Sequence, residues 1–284
     1  MRTLRLLAPL ACLSLAAMPI PTSTEMTLTT ADGYVLKGTL TLPAAKGKIP
    51  VVILAHQFGA HRAGWAPLAE RLAARGIGTL ALDLRGHGAS TQKSGVEVAV
   101  TTDFMASAKA VGFDKIPADL AQAAVWLRNQ AGVDGRRIGL AGSSVGALSV
   151  LLAAPAVKPV AVLSLSPAGN GAFGINQGDL RTAVLGGRAS TLVLASAGDK
   201  EAYENALSLK NLPGVSLNLG EGDDHGFAYF KDRAELMAIY FGEYLTYHRT
   251  GETSTAKSTT KPTTRGNVIN DKTVAERKAA DAPK

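Results

Sequence analysis

The chain has 284 residues, 46% hydrophobic and 19% charged, and carries a net charge of +7. That composition belongs to a globular protein rather than a disordered or fibrous one, and the length suits one or two domains. Beyond the first twenty residues no apolar run reaches the roughly 18 needed for a membrane span. The positive charge is scattered, with no basic run or aromatic–basic stripe, which argues against a nucleic-acid partner.

In chain order, Arg2 and Arg5 come first, then the apolar stretch Leu6–Ala17 with small residues at Ser14, Ala16 and Ala17. This predicts a secretory signal peptide over residues 1–17 and a mature protein that is secreted or periplasmic. Cys12, the only cysteine, lies inside it. Thiol catalysis, disulfides and cysteine-ligated zinc are therefore not expected of the mature chain.

Residues 25–248 alternate strand-like and helix-like segments. Strands are predicted at Thr27–Thr30, Val35–Leu42, Val51–Ala55, Gly78–Leu82, Ile138–Ala141, Ala161–Leu165, Leu192–Ala195 and Val215–Leu219. Most are short apolar runs, as buried parallel strands are. The first two are Thr-rich with Asp32-Gly33 between them and predict an antiparallel hairpin. Helices are predicted at Trp65–Ala74, Asp119–Gln130, Val145–Ala153, Glu201–Leu209 and Arg233–Tyr247. In Asp119–Gln130 the residues Leu120, Ala123, Ala124 and Leu127 fall at i, i+3, i+4 and i+7. The alternation predicts a mostly parallel sheet with helices on both faces. Thr91–Pro117 reads as one long connection, and the Gly-rich Ser166–Ser190 as holding at most one short helix. Neither is large enough for a separate cap. Residues 250–284 contain eight Thr and no aromatic residue, so they read as a disordered tail.

The strongest local signal is Ile138-Gly-Leu-Ala-Gly142-Ser143-Ser144-Val145-Gly146. It is an apolar strand, then Gly-x-Ser-x-Gly, then a helix-forming run. A serine hydroxyl is a poor nucleophile unless exposed, positioned and relieved of its proton by a base. A sharp strand-to-helix turn exposes and positions it, and Gly142 and Gly146 give the chain room to pass. Spacing assigns the nucleophile to Ser144 rather than Ser143, and the Val145 N–H is placed to donate to an oxyanion. Of the five histidines, only His225 sits after a late strand. Asp199 follows another strand end and is preferred to Asp223 and Asp224 as its partner, although it could instead cap the next helix. No spacing suggests a metal site, and no Gly-x-Gly-x-x-Gly suggests a nucleotide cofactor.

The order Ser144, Asp199, His225 resembles that of the α/β-hydrolases. Three further pieces match: His56-Gln-Phe-Gly59 after a strand, Asp83-Leu-Arg-Gly-His-Gly-Ala-Ser90, and Asp223-Asp-His-Gly-Phe227. The resemblance implies a three-layer α/β fold with an eight-stranded, mostly parallel sheet and little or no cap. It also implies Ser144 as nucleophile, His225 as base, Asp199 as orienting acid, and a second oxyanion N–H from Phe58. Gln57 stands where the pattern carries glycine, which leaves Gln57 as the other candidate donor. Arg85 and His87 are expected to be structural. The connections are most similar to the dienelactone-hydrolase-like and esterase branches, with serine in place of the former's cysteine. Together these imply an exported serine hydrolase of small carboxylic esters, without cofactor. A peptidase or thioesterase of the same fold, or a non-catalytic exported binding protein, are the alternatives.

Overall fold

A computed structural model describes residues 21–246. The signal peptide expected over 1–17 and the disordered tail expected over 250–284 lie outside the described residues. The main sheet has eight strands: β1 (Thr22–Thr29), β2 (Val35–Leu42), β3 (Ile49–Ala55), β4 (Gly78–Asp83), β7 (Val133–Ser143), β8 (Ala161–Leu165), β9 (Ser190–Ser196) and β10 (Val215–Gly220). They lie in the order β1-β2-β4-β3-β7-β8-β9-β10. β1 and β2 pair antiparallel, as do β2 and β4, and every later pair is parallel. The eight-stranded, mostly parallel α/β sheet expected from the alternation is the one observed.

Central strands are buried on both faces, which is why they read as continuous apolar runs. All seven residues of β3 are buried. Val51, Ile53 and Ala55 point to one layer, Val52 and Leu54 to the other, as the two-residue strand period requires. One layer holds α1 (Ala66–Ala73) and α8 (Phe230–Leu245), which bury Leu68, Leu72, Met237 and Phe241. The opposite layer holds α3 (Ile116–Arg128), α4 (Val145–Val157) and α6 (Gln177–Gly187), which bury Leu120, Leu148, Leu151 and Leu180. Between α3 and α6, α4 is buried nearly all round, which explains its lack of a polar face.

Three expectations are corrected. Thr91–Pro117 is not one connection: it holds a ribbon of β5 (Gln92–Lys93) and β6 (Val96–Glu97), then α2 (Phe104–Val111). The Asp103 side chain accepts from the Ala106 N–H to cap α2, and Gly112 ends it at φ 78°. α3 accordingly starts at Ile116 instead of Asp119. Ser166–Ser190 contains two helices rather than at most one, α5 (Asn170–Phe173) and α6. α6 opens on a capping box of Asn176 and Asp179, a polar signal that its glycines obscure. β1 begins five residues before Thr27 because it is a largely exposed edge strand, and such a strand needs no apolar alternation. The helix expected at Glu201–Leu209 is α7 (Lys200–Ser208).

Arg85 sits at the exit of β4 with 1% of its side chain exposed. Its Nε and Nη2 donate to both Asp119 oxygens at 2.7 and 2.8 Å, its Nη1 donates to Asp32 at 2.9 Å, and its guanidinium lies over the Tyr34 ring. It thereby ties the β1–β2 turn to α3, a structural use of the charge.

Candidate active site

In parallel α/β sheets ligands bind beyond the carboxyl ends of the strands. Ser144 follows β7, Asp199 follows β9 and His225 follows β10, so the expected residues share that edge, and Ser166, after β8, joins them.

The turn from β7 into α4 is strained and tightly enclosed. Ser144 has φ 55° and ψ −116°, a region non-glycine residues avoid at a cost of about 1–3 kcal/mol. It persists because neighbours hold it: the Ser144 N–H donates to Leu165 O of β8 at 2.9 Å, and Leu148 N–H of α4 donates to Ser144 O at 3.0 Å. A Cβ on Gly142 would lie 2.1 Å from Gly146 O, and one on Gly146 would lie 2.2 Å from Ala55 O of β3. Backbone, not a movable side chain, fills that space. Gly146→Ala is therefore expected to lower stability by at least about 3 kcal/mol, measured as the urea midpoint. An unchanged midpoint would mean the turn has room that this geometry denies it.

The carboxylate and imidazole are brought together by β9–β10 pairing that continues past the strands. Gly220↔Ser196 is the last register pair; beyond it Ala197 N–H donates to Gly220 O and Gly198 N–H to Gly222 O, both at 2.9 Å. His225 Nδ1 and Asp199 Oδ2 are consequently 2.7 Å apart. Asp199 occupies the N-cap of α7, yet its side chain makes no capping bond. Asp224 instead accepts from Lys231 Nζ at 2.7 Å. Among the described residues Ser144 Oγ makes no hydrogen bond, to His225 or any other group. Bonds of this kind tighten with substrate in place. The neighbours of the two residues lie close, with no room for a side chain between them: a Cβ on Gly226 would lie 2.4 Å from Ser143 Oγ.

The loop after β3 completes the edge. His56 is fully buried, and its Nε2 accepts from Leu84 N–H at 3.0 Å. The neutral ring therefore carries its proton on Nδ1, which donates to Gln57 O at 2.8 Å. Gln57 O also accepts from Ala60 N–H at 3.1 Å. In a planar trans peptide the N–H opposes the carbonyl, so the Phe58 N–H points away from the side on which Gln57 O is engaged. The Gln57 side chain is engaged elsewhere, its Oε1 accepting from Ser143 Oγ at 2.9 Å and from Phe227 N–H at 3.0 Å.

A family model described as "Serine aminopeptidase, S33" (Hydrolase_4) matches residues 48–193, which is half of the chain. The chain belongs to this family of α/β-hydrolases. No curated protein matches it. Its fold is similar to that of a dienelactone hydrolase from Anabaena variabilis, 21% identical, with a TM-score of 0.60 over 80% of this chain and 99% of that one. An esterase from Pyrococcus furiosus is 20% identical, with a TM-score of 0.59 over 79% and 91%. Est1E from Butyrivibrio proteoclasticus, solved with ferulic acid bound, is 18% identical, with a TM-score of 0.57 over 77% and 97%.

In this S33-family chain His56 and His87 have separate roles in the structure. Burial, reinforced by His87, pushes His56 down to about 4, and burial also lowers His87. His87 Nδ1 lies 3.0 Å from Arg85 O, and its ring packs against His56, Phe58 and Phe113. An unfolded histidine takes its proton near pH 6.5, whereas native His56 resists until about pH 4. The unfolded state thus binds more protons across that window, and stability is present above it and lost as pH falls through it. Urea unfolding at pH 7 and pH 4 is expected to show a loss of roughly 3 kcal/mol from His56 alone. His56→Gln should flatten that slope, and an unaltered slope would assign the acid sensitivity elsewhere.

Sequence reasoning missed the links made by Gln57 and Ser166. Gln57 was visible as a departure from the glycine of the family pattern, but no spacing signals which N–H its amide meets. Among the described residues no three His, Cys, Asp or Glu gather as metal ligands, and no helix is long and apolar enough to cross a membrane.

Proposed function

We propose that the protein is an exported serine hydrolase that cleaves small carboxylic esters through Ser144, His225 and Asp199. The observation that carries the reading is the 2.7 Å contact between His225 Nδ1 and Asp199 Oδ2, taken together with a serine held at positive φ between β7 and α4. Asp199 accepts a hydrogen bond from the His225 Nδ1–H, which leaves Nε2 free to act as base. His225 takes the Ser144 proton as Oγ attacks the ester carbonyl, and the imidazolium that forms is stabilised by Asp199. The Val145 and Phe58 N–H groups receive the oxyanion at the N-terminus of α4. The tetrahedral intermediate collapses, the alcohol leaves with the proton from His225, and water repeats the sequence on the acyl-enzyme.

A small acyl group is supported by the aromatic wall beside Val145. Phe104 packs on Phe58 and Phe113 with ring centroids 5.3 and 5.8 Å away. A Cβ on Gly169 would lie 3.1 Å from the Phe104 ring and 3.6 Å from Val145 Cγ1. Export rests on the predicted signal peptide.

The family's description as serine aminopeptidases favours one second reading, cleavage of an amino-terminal peptide bond. The deciding assay offers the protein p-nitrophenyl acetate, p-nitrophenyl butyrate and aminoacyl p-nitroanilides. Ester turnover that exceeds anilide turnover is the expected result. Anilide turnover alone would establish the second reading, and no turnover of any substrate would leave the fold as a binding protein.

A further inference from the structure

His225 stands at the N-cap of the 3-10 turn Gly226–Tyr229 that leads into α8, but its side chain makes no capping hydrogen bond. A helix N-terminus leaves its first N–H groups without intrahelical partners, and the N-cap side chain ordinarily accepts from one of them. Here the imidazole is committed to Asp199. The first two donors are met from other segments: Gly226 N–H donates to Ser166 Oγ at 3.1 Å, and Phe227 N–H donates to Gln57 Oε1 at 3.0 Å. Gln57 follows β3 and Ser166 follows β8, the two sheet neighbours of β7. The cap of the histidine turn therefore comes from both flanks of the strand that carries Ser144.

Gln57 does more than cap. The same Oε1 accepts from Ser143 Oγ at 2.9 Å, so one amide oxygen joins the residue before the serine to the turn that begins at the histidine. The junction is closed to any side chain at position 226. Gly226 has φ +56°, and a Cβ there would lie 2.2 Å from Gln57 Oε1. Ser166 is buried and held at φ 54°.

We propose that Gln57 and Ser166 are positioning residues: they supply in trans the helix cap that His225 cannot make, and Gln57 also clamps the His225 turn to Ser143. The proposal rests on the assignment of Ser144, Asp199 and His225 above.

The test compares the full-length wild type with Gln57→Ala and Gln57→Glu on p-nitrophenyl acetate. Gln57→Ala removes the oxygen and is expected to lower kcat by about 10- to 100-fold, with KM held within about threefold. Gln57→Glu keeps an acceptor for both donors, so part of kcat should return. Its added negative charge favours the imidazolium, so the acid limb of kcat/KM should move to higher pH. Wild-type kcat in Gln57→Ala would overturn the proposal, as would a Gln57→Glu enzyme no better than the alanine variant. Should Gln57→Ala not fold, Gln57→Glu and Ser166→Ala carry the same comparison. A wild type without ester turnover would be a failure of the functional reading instead. The clamp is then read from the downfield His225 Nδ1–H resonance, expected sharp in wild type and exchange-broadened in Gln57→Ala. An identical resonance in both overturns it.

Discussion

Replacing Ser144 with alanine is expected to lower kcat for p-nitrophenyl acetate by about a million-fold, the scale at which removing an activated serine leaves only binding and oxyanion stabilisation. Stability should hardly change. Among the described residues the Ser144 hydroxyl has no hydrogen bond to lose, and the bonds that fix the turn run through its backbone N–H and carbonyl. Alanine also inherits the same positive-φ strain, so neither folded nor unfolded state gains much over the other. A melting temperature within a few degrees of wild type, together with the collapse in turnover, is the expected pair of results. Turnover within tenfold of wild type would remove Ser144 from the chemistry.

Asp199→Asn is expected to cost about 10,000-fold in kcat. The amide is nearly the size of the carboxylate, and Asp199 spends no bond on capping α7, so the loop between β9 and α7 should keep its course. What changes is the partner of His225 Nδ1, 2.7 Å away. A neutral amide no longer stabilises the imidazolium, and its NH2 group can hold the ring in the wrong tautomer with Nε2 protonated. Near-wild-type turnover would move the role to Asp223 or Asp224. The latter would first have to release Lys231.

The parts of the molecule that were legible in the sequence are those where burial or backbone constraint leaves little choice of residue. β3, β8 and β9 are covered on both faces and spell themselves as apolar runs. Gly142 and Gly146 mark the turn because any Cβ there meets backbone. Asp199 and His225 could be proposed from their places after late strands, though sequence alone also allowed Asp199 to be a helix cap. What stayed hidden depends on polar or exposed residues, whose identity is weakly tied to position. β1 is an edge strand with most of its side chains in water. α2 and α6 are short helices defined as much by Asp103, Asn176 and Asp179 at their starts as by any apolar stripe. Gln57 is the clearest case: an amide can accept from many donors, and only the assembled loops determine that it meets Ser143 and Phe227.

The turn that bears Ser144 is enclosed by main-chain atoms of β3, β8 and α4, whereas the wall that would face an acyl group comes from Phe58, Phe104 and the segment at Gly169. Reactivity and selectivity are thus lodged in different materials. On the proposed function, laboratory evolution could vary Phe104 in that wall to admit bulkier esters, because a change of side chain there does not touch the carbonyls that shape the seat of Ser144.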